Sequence, residues 1–207
     1  MCLVLTIILS YLLGSVPFGL LVTSRVRRLD VREHGSGNTG MANVLRIAGL
    51  WPALVVLTLD LGKAVLVVTL SRWVSSDPIL AVAAAISVLF GHNWSIFIKF
   101  GGGKGIATGA GALLALSPIA GLIALLVGLP LIAIFRYVSL GSIFGTLSAL
   151  VSVPVLYAFA PDIPMSVPLP IYMLYPVICV PMVIFKHSDN IRRLIGGRER
   201  KLGEIVD

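Results

Sequence analysis

The sequence predicts an all-α membrane protein, a bundle of seven transmembrane helices built from residues 1–207 as a single domain. Of the 207 residues, 57% are hydrophobic and only 12% are charged, whereas a soluble domain contains about 25% charged residues. Apolar runs of about 20 residues, the length of a helix that crosses a bilayer, follow one another along the chain. Together these observations exclude an ordinary soluble domain.

The net charge of +7 would favour a nucleic-acid partner in a soluble chain. In a membrane protein, basic residues collect in the cytoplasmic loops, so the charge is explained without nucleic acid. We therefore expect the lipid bilayer, and no nucleic acid, as a partner. Cys2 and Cys179 lie in apolar runs without metal-ligand spacing or a disulfide framework, and we expect neither a metal site nor a cofactor.

Polar or proline-rich junctions separate the predicted spans. Glycine and proline interrupt the first span at Gly14–Gly19, and the second span carries Asp60 and Lys63 at its middle. The pair Ser117–Pro118 divides an apolar run that is too long for one span, and the proline-rich segment 161–168 is predicted to form an external loop. The predicted spans are about residues 3–23, 47–71, 78–97, 105–116 and 118–135, a sixth that ends near residue 159, and 169–185.

Positive charge sets the orientation of these spans. If the loop that precedes the second span is cytoplasmic, 14 of the 16 Lys and Arg residues lie on that side, while Arg72 falls outside and Lys63 falls within a span. The N-terminus is then outside and the C-terminus is cytoplasmic. One site at the cytoplasmic face is predicted from the four polar junctions that this orientation brings together, His34–Arg46, Phe100–Gly111, Arg136–Ser142 and the tail from Lys186.

The first polar junction reads HGSGNTGMANVLR over residues 34–46. Glycine lets a backbone approach a ligand closely, while Ser, Thr and Asn supply short hydrogen-bonding groups. Arg46 adds a fork of donors suited to phosphate or carboxylate, which favours an anion site. The pattern also allows Arg46 as an anchor at the membrane surface, Asn38 and Asn43 as loop and cap residues, and Ser36 as a turn residue or a nucleophile.

The second junction contains GGGKG at Gly101–Gly105. Backbone N–H groups and a lysine at the start of a helix favour a phosphate cradle. A nucleotide P-loop needs G-x-x-x-x-G-K-[ST], and here Gly105 follows Lys104 and Ile98 stands at the place of the first glycine, so ATP binding is not supported. A flexible loop with an interfacial lysine is the alternative.

The sequence allows more than one role for two histidines and one ion pair. His187 is either the interfacial end of the last span or a group that orients or deprotonates a hydroxyl, with Asp189 or Asn190 beside it. His92 is interpreted as an interface histidine. Asp60 and Lys63 are three positions apart and can pair along one helix face, for which a structural or supporting role is favoured.

The motifs GSGNTGMANVLR, FGGGKGIATG, YVSLGS and HSDNIRRLIGGRER, found in this order, resemble those of the bacterial acyl-phosphate:glycerol-3-phosphate acyltransferase family. GSVPFG in the first span fits the same pattern, and the resemblance covers the whole chain. It implies transfer of a fatty acyl group from acyl phosphate to the 1-hydroxyl of glycerol 3-phosphate in the bacterial cell membrane. The products would be lysophosphatidic acid and phosphate. The H-x4-D pair of other glycerolipid acyltransferases does not occur, because Thr39, Phe97 and Arg192 stand five positions after the three histidines.

The resemblance and the charge pattern together imply roles for individual residues. Ser36, Arg46 and Lys104 would bind phosphate, and His187 and Asn190 would orient the glycerol hydroxyl; these five are the candidate catalytic residues. The candidate substrate-binding residues, which would complete the phosphate pocket and stabilise the oxyanion, are Asn38, Thr39, Asn43, Gly101, Gly102, Gly103, Gly105, Thr108 and Ser142.

Three chemical alternatives stay open at this point. The phosphate of the donor can accept the hydroxyl proton itself, so that no covalent acyl-enzyme forms. Alternatively, His187 acts as a general base, or Ser36 is transiently acylated. The rival class is a membrane transporter of a phosphorylated solute, but such proteins usually have internal repeats and a polar pathway at the bilayer midplane. Here the polar residues gather at one face.

Overall fold

A computed structural model of the chain describes residues 1–159, 169–202 and 204. These residues form α-helices and two longer connections, residues 28–40 and 94–105, each of which contains a short 3-10 helix. The helices are α1 (Cys2–Ser15), α2 (Phe18–Arg27), α3 (Met41–Ala48), α4 (Leu50–Val74), α5 (Pro78–Asn93), α6 (Ile106–Leu116), α7 (Pro118–Phe135), α8 (Val138–Phe159), α9 (Leu169–Lys186) and α10 (Ser188–Ile195).

Four segments of the described chain are long and apolar enough to cross a membrane: α1 with α2, α4, α7 and α8. A fifth is reached if α9 and α10, which meet at a bend of 60°, are counted as one broken span. Helices α5 and α6 are apolar but have only 16 and 11 residues, fewer than the roughly 20 that a spanning helix needs. The all-α membrane class is confirmed, and the number of seven spans stays a prediction.

Local chemistry explains where several helices begin and end. The first span is two helices because Pro17, which lacks a backbone N–H, separates α1 from α2. Gly49, with φ of +89°, separates α3 from α4, so the second span begins at Leu50 and not at residue 47. The third ends at Asn93 and not at residue 97. The predicted division at Ser117–Pro118 is confirmed, and segment 161–168 lies outside the described residues.

Close packing of small residues holds the bundle together. Helix α1 lies along α5, α4 along α6, and α7 along α8. A Cβ added at Gly14 would lie 2.2 Å from the carbonyl oxygen of Val88, and one added at Gly91 would lie 2.2 Å from that of Tyr11. Helices in membranes commonly approach each other in this way through small residues. The tight α1–α5 pair sets the position of the C-terminal end of α5, where the candidate site begins.

Candidate active site

A polar cavity of about 430 Å³ lies at one end of the bundle. Three of the four predicted junctions supply its walls. It is lined by Gly35, Ser36, Asn38, Lys104, Phe185, Lys186, Ser188, Asp189, Arg193 and Arg200. Four of these side chains are basic and one is acidic, so the cavity favours an anionic ligand.

Lys104 reaches into this cavity from the turn between α5 and α6. Gly105, which follows it, has φ of +80° and stands as the N-cap of α6. The Lys104 Nζ donates a hydrogen bond to Oδ1 of Asn190. Burial and, next, the nearby positive charge of Arg193 lower the pKa of Lys104 to about 8, although the charge of Glu199 acts in the opposite direction. The amine is therefore still protonated at neutral pH and can bind an anion.

Glu199 organises the tail around Asn190. Its Oε1 accepts hydrogen bonds from Nδ2 of Asn190 at 2.6 Å and from Oγ of Ser139 at 2.9 Å, and its Oε2 accepts one from Nε of Arg193 at 2.8 Å. Although burial opposes the charged form, these hydrogen bonds hold the pKa of Glu199 below its ordinary value. Glu199 thus orients the amide that contacts Lys104.

Glu199 was missed in the sequence analysis. One signal could have found it: it is the single carboxylate in the basic run GGRERK. An acid placed among arginines and a lysine near a predicted phosphate site is unusual unless it holds basic or amide groups in place. Ser139 was also not singled out, although it lies in the third polar junction.

His187 lies between α9 and α10 and is only 3% exposed. Its Nδ1 lies 2.8 Å from the carbonyl oxygen of Val183, which can only accept, so Nδ1 carries the proton. Burial lowers the pKa of His187 to about 4, and the positive charge of Lys104 contributes. The ring is therefore neutral at pH 7 with Nε2 free of a proton. A neutral imidazole of this kind can accept a hydrogen bond from a hydroxyl.

Arg46, the fifth candidate catalytic residue, is half-buried in α3. Burial lowers the pKa of its guanidinium, and the charges of Arg200 and Arg193 act in the same direction. The positive charges of the tail therefore act on Arg46, and together with Arg46 they make this end of the bundle positive. Its side chain is not among those that line the cavity.

The first junction contributes two cavity residues, Ser36 and Asn38, which are joined by a hydrogen bond from Nδ2 of Asn38 to the Ser36 carbonyl at 3.1 Å. Asn43 has a different set of contacts. Its Nδ2 donates to the carbonyls of Val31, His34 and Asn38, and its Oδ1 accepts from the N–H of Ser36. Asn43, which was predicted to bind substrate, thus uses its amide to shape the loop that carries Ser36.

Thr39 and Thr108 also differ from the prediction. Thr39 is 3% exposed, and its backbone packs on Gly19 of α2. Thr108 is fully buried in α6. Neither side chain lines the polar cavity.

The GGGKG turn packs against the end of α5. The N–H of Gly103 donates to the His92 carbonyl at 3.1 Å. A Cβ added at Gly102 would lie 2.3 Å from that same carbonyl oxygen, and one added at Gly103 would lie 2.1 Å from Nε2 of His92. The glycines therefore let the turn pack closely against α5. Gly101 forms a single bridge with Ser95.

A second cavity, of about 120 Å³, runs between α6, α7, α8 and α9. Its walls are almost wholly apolar, and it begins at Gly105, next to Lys104. Ser142, which was predicted in the phosphate pocket, lines this second cavity. Other lining residues are Gly109, Leu113, Ala124, Gly128, Gly145, Ala149, Tyr175, Cys179 and Val183. The two cavities together suit a ligand with an anionic head and an apolar tail.

Comparison with known proteins gives a consistent match. The family model described as Glycerol-3-phosphate acyltransferase matches residues 4–197. A glycerol-3-phosphate acyltransferase of Desulforamulus reducens is 42% identical, over 97% of this chain and 96% of its own length. That of Halalkalibacterium halodurans is 41% identical, over 96% of this chain and 95% of its own length.

Two solved structures share the fold. Both are crystal structures of PlsY (YgiH), an integral membrane glycerol 3-phosphate acyltransferase. The glycerol 3-phosphate form has a TM-score of 0.86 and 31% identity, and the lysophosphatidic acid form has 0.84 and 30%. Each alignment covers 98% of this chain and 96% of the solved chain. The similarity therefore extends over the tail residues that complete the candidate site.

Proposed function

Because the chain belongs to the glycerol-3-phosphate acyltransferase family, we propose that it moves a fatty acyl group from an acyl phosphate to the 1-hydroxyl of glycerol 3-phosphate. The family assignment makes it an integral membrane acyltransferase and an enzyme of phospholipid synthesis. The identity of the donor is the part that we propose. The products would be lysophosphatidic acid and inorganic phosphate.

One observation carries this proposal: Lys104 lines the basic polar cavity, and the next residue, Gly105, lines the apolar cavity. A fatty acyl phosphate likewise consists of a charged phosphate group that is followed by an apolar hydrocarbon chain. Its phosphate would lie among Lys104, Ser36 and the charge of Arg46, while the chain would lie between α6, α7, α8 and α9. Glycerol 3-phosphate, which carries no hydrocarbon chain, would occupy the remainder of the polar cavity.

The reaction that we propose has no covalent acyl-enzyme. The glycerol hydroxyl oxygen would attack the acyl carbonyl carbon, the bond from that carbon to the phosphate oxygen would break, and the hydroxyl proton would pass to the departing phosphate. His187 and Asn190 would orient the hydroxyl, and Lys104 would stabilise charge on the phosphate. Glu199 would hold Asn190 in place.

We propose further that the chain crosses the bacterial cell membrane seven times as a single domain, with the N-terminus outside and the active site in the cytoplasm. Five candidate spans and the two shorter apolar helices α5 and α6 support this number. The placement of 14 of the 16 basic residues on one side supports the orientation. The orientation can be tested with cysteines introduced at residue 26 and at residue 75, whose accessibility is measured in intact cells. The two positions should lie on opposite sides of the membrane.

The central experiment follows phosphate release by purified protein supplied with an acyl phosphate. We expect release only when glycerol 3-phosphate is present, with lysophosphatidic acid formed in equal amount. Parallel reactions with acyl thioesters of coenzyme A and of acyl carrier protein identify the donor. Turnover with a thioester and none with acyl phosphate would refute the proposed donor while leaving the family activity intact.

One variant and one mass-spectrometric measurement separate the chemical routes. If the donor phosphate accepts the proton, His187→Gln should retain measurable turnover, because an amide can still orient the hydroxyl. Total loss with unchanged substrate binding would favour a general base instead. Mass spectrometry of protein incubated with donor alone should show unmodified Ser36, and an acylated serine would overturn the direct-transfer route.

The transporter alternative makes a separate prediction. In liposomes that contain the protein and no acyl donor, we expect no uptake of glycerol 3-phosphate above protein-free liposomes. Uptake under these conditions would show a transport function in addition to the acyltransferase. Buried charge at mid-span is the feature that a transporter would use, and in this chain Asp60 and Lys63 bond to each other.

A further inference from the structure

A buried charged cluster lies beneath the GGGKG turn and outside both cavities. It is formed by Asp60 and Lys63 of α4 and by His92 of α5, which are 1%, 4% and 7% exposed. The Lys63 Nζ lies 2.8 Å from Oδ1 of Asp60 and 3.1 Å from Nδ1 of His92, and that Nδ1 lies 3.4 Å from Oδ1 of Asp60. The predicted Asp60–Lys63 pair is confirmed, and His92, which was interpreted as an interface histidine, is buried beside this pair.

The cluster also holds the break between α1 and α2. The Lys63 Nζ donates to the carbonyls of Gly14 at 2.9 Å and Val16 at 3.2 Å. Pro17 interrupts the helical hydrogen bonds at this point, and backbone groups left without water inside a membrane protein need another partner. This contact gives Lys63 a structural reason to be buried, but it does not involve His92.

His92 faces the GGGKG turn on its other side. The three heavy atoms closest to a Cβ built on Gly103 all belong to the His92 ring, with Nε2 at 2.1 Å. The Gly103 N–H also donates to the His92 carbonyl. Lys104 is the next residue, so the ring and carbonyl of His92 set the position from which the Lys104 side chain extends.

We propose that His92, held by Asp60 and Lys63, is a positioning residue for the acyltransferase reaction. It keeps the turn at Gly103 in the one arrangement that brings Lys104 to Asn190 and the polar cavity. It touches no substrate, and its effect on the reaction passes through Lys104. The inference rests on the proposed role of Lys104 in phosphate binding.

The main test variant is His92→Asn. The asparagine amide reaches the place of Nδ1, so the contact with Asp60 and Lys63 is retained, while the ring atoms that contact Gly103 are lost. The KM for glycerol 3-phosphate should rise about fivefold or more with a much smaller change in kcat. Ser71→Ala is the matched control, because Ser71 is also buried, and its side chain bonds only within its own helix, α4, to the Val68 carbonyl.

Labelling of lysines by an amine reagent, followed by mass spectrometry, shows whether the effect passes through Lys104. In His92→Asn, the labelling rate of Lys104 should rise about threefold as its turn loosens, relative to the exposed Lys99 in the same sample. Ser71→Ala should leave this ratio unchanged. A raised KM with an unchanged ratio overturns the proposal, and so does a raised ratio with an unchanged KM.

A second pair of variants tests the contact itself. Gly103→Ala should lose activity because its methyl group meets the His92 ring. Gly103→Ala combined with His92→Ala should recover part of that loss, because the obstructing ring is gone. Equal or greater loss in the double variant would show that His92 does not set the turn.

Lys104→Met separates the two proposals. If Lys104→Met retains full use of glycerol 3-phosphate, the proposed role of Lys104 fails, and the inference fails with it. If Lys104→Met loses activity and the His92 variants do not, only the inference fails.

Discussion

Two charged clusters stand within one helical bundle, and they differ in what their charges contact. The buried cluster of Asp60, Lys63 and His92 is closed: the lysine bonds to the carboxylate, to two backbone carbonyls and to the imidazole. The cavity cluster of Lys104 and Arg193 is open, because both side chains line a cavity of about 430 Å³. In the buried cluster the charges interact with other groups of the protein, whereas in the cavity cluster positive charge remains available to a ligand.

The difference follows from the cost of desolvation. Two charges in the interior are tolerated only when partners replace the lost water, so each group of the buried cluster has a fixed neighbour. At the polar end water still reaches the side chains, and an excess of positive charge is tolerated until an anion arrives. The buried cluster should therefore control stability and the cavity cluster should control substrate use.

The largest effect is expected from breaking the closed cluster. Lys63→Met leaves the Asp60 carboxylate buried without its cation, which should lower the free energy of unfolding by about 3–5 kcal/mol. Denaturant unfolding in detergent micelles measures the change. Adding Asp60→Asn should recover part of it, and the remainder would reflect the carbonyls of Gly14 and Val16. If Lys63→Met costs no more than Ser71→Ala, the cluster does not stabilise the bundle.

The next effect concerns the open cluster. Lys104→Met removes a charged hydrogen-bond donor to phosphate, worth about 1.5–3 kcal/mol, and should lower kcat/KM for glycerol 3-phosphate about 10- to 100-fold. Stability should change little. Lys99→Met is the matched control, since Lys99 lies directly before the same junction and is exposed. Equal losses in both variants would mean that charge anywhere on this face is sufficient.

A smaller effect is expected from pH. The pKa of Lys104 is about 8, below the usual value for lysine, so its charge is present at pH 7 and is lost as the pH rises through 8. The KM for glycerol 3-phosphate should therefore rise by up to about tenfold for each unit above that pH. Lys104→Arg should keep the KM constant to higher pH, because arginine remains charged. An identical rise in the arginine variant would assign the titration to another group.

The smallest effect tests the apolar cavity beside the open cluster. A Cβ added at Gly109 would make only ordinary contacts, with Oη of Tyr175 at 3.6 Å and Leu89 at 3.8 Å. Gly109→Leu should narrow the cavity and lower kcat/KM a few-fold more for long-chain than for short-chain donors. Gly62→Leu is the control, because nothing lies within 4 Å of a Cβ at that position. A loss that is the same for every chain length would argue against an acyl site here.

The membrane character and several helix boundaries followed from local patterns. Long apolar runs, the Pro118 start of α7 and the i, i+3 pair of Asp60 and Lys63 are properties of neighbouring residues, so sequence reasoning could reach them. The break at Pro17 was recognised as an interruption, but its division of the first span into two helices was not. The separate α3 also escaped prediction, because a polar stretch before a span resembles a loop.

The candidate site was predicted as a set of residues but not as an arrangement. Ser36, Asn38, Lys104 and the start of the tail lie together as expected. Asn43 and Thr39 have short polar side chains like those of Ser36 and Asn38. Only the fold shows that Asn43 supports the loop and that Thr39 is buried. The composition of a motif indicates which chemistry is available to it, but which side chains face a cavity depends on residues far away in the chain.

The sequence by itself determined that this is a membrane protein, and it determined its helical class and its family. Hydrophobicity, proline and glycine act on neighbouring residues, and the family motifs are contiguous, so local patterns were sufficient. The tertiary structure decided three further things. It joined Lys104 to Asn190 and, through Asn190, to Glu199, it placed His92 against Gly103, and it set a basic cavity beside an apolar one. The contact between Lys104 and Asn190 joins residues that are 86 positions apart in the chain, and no local pattern specifies how helices pack across that separation.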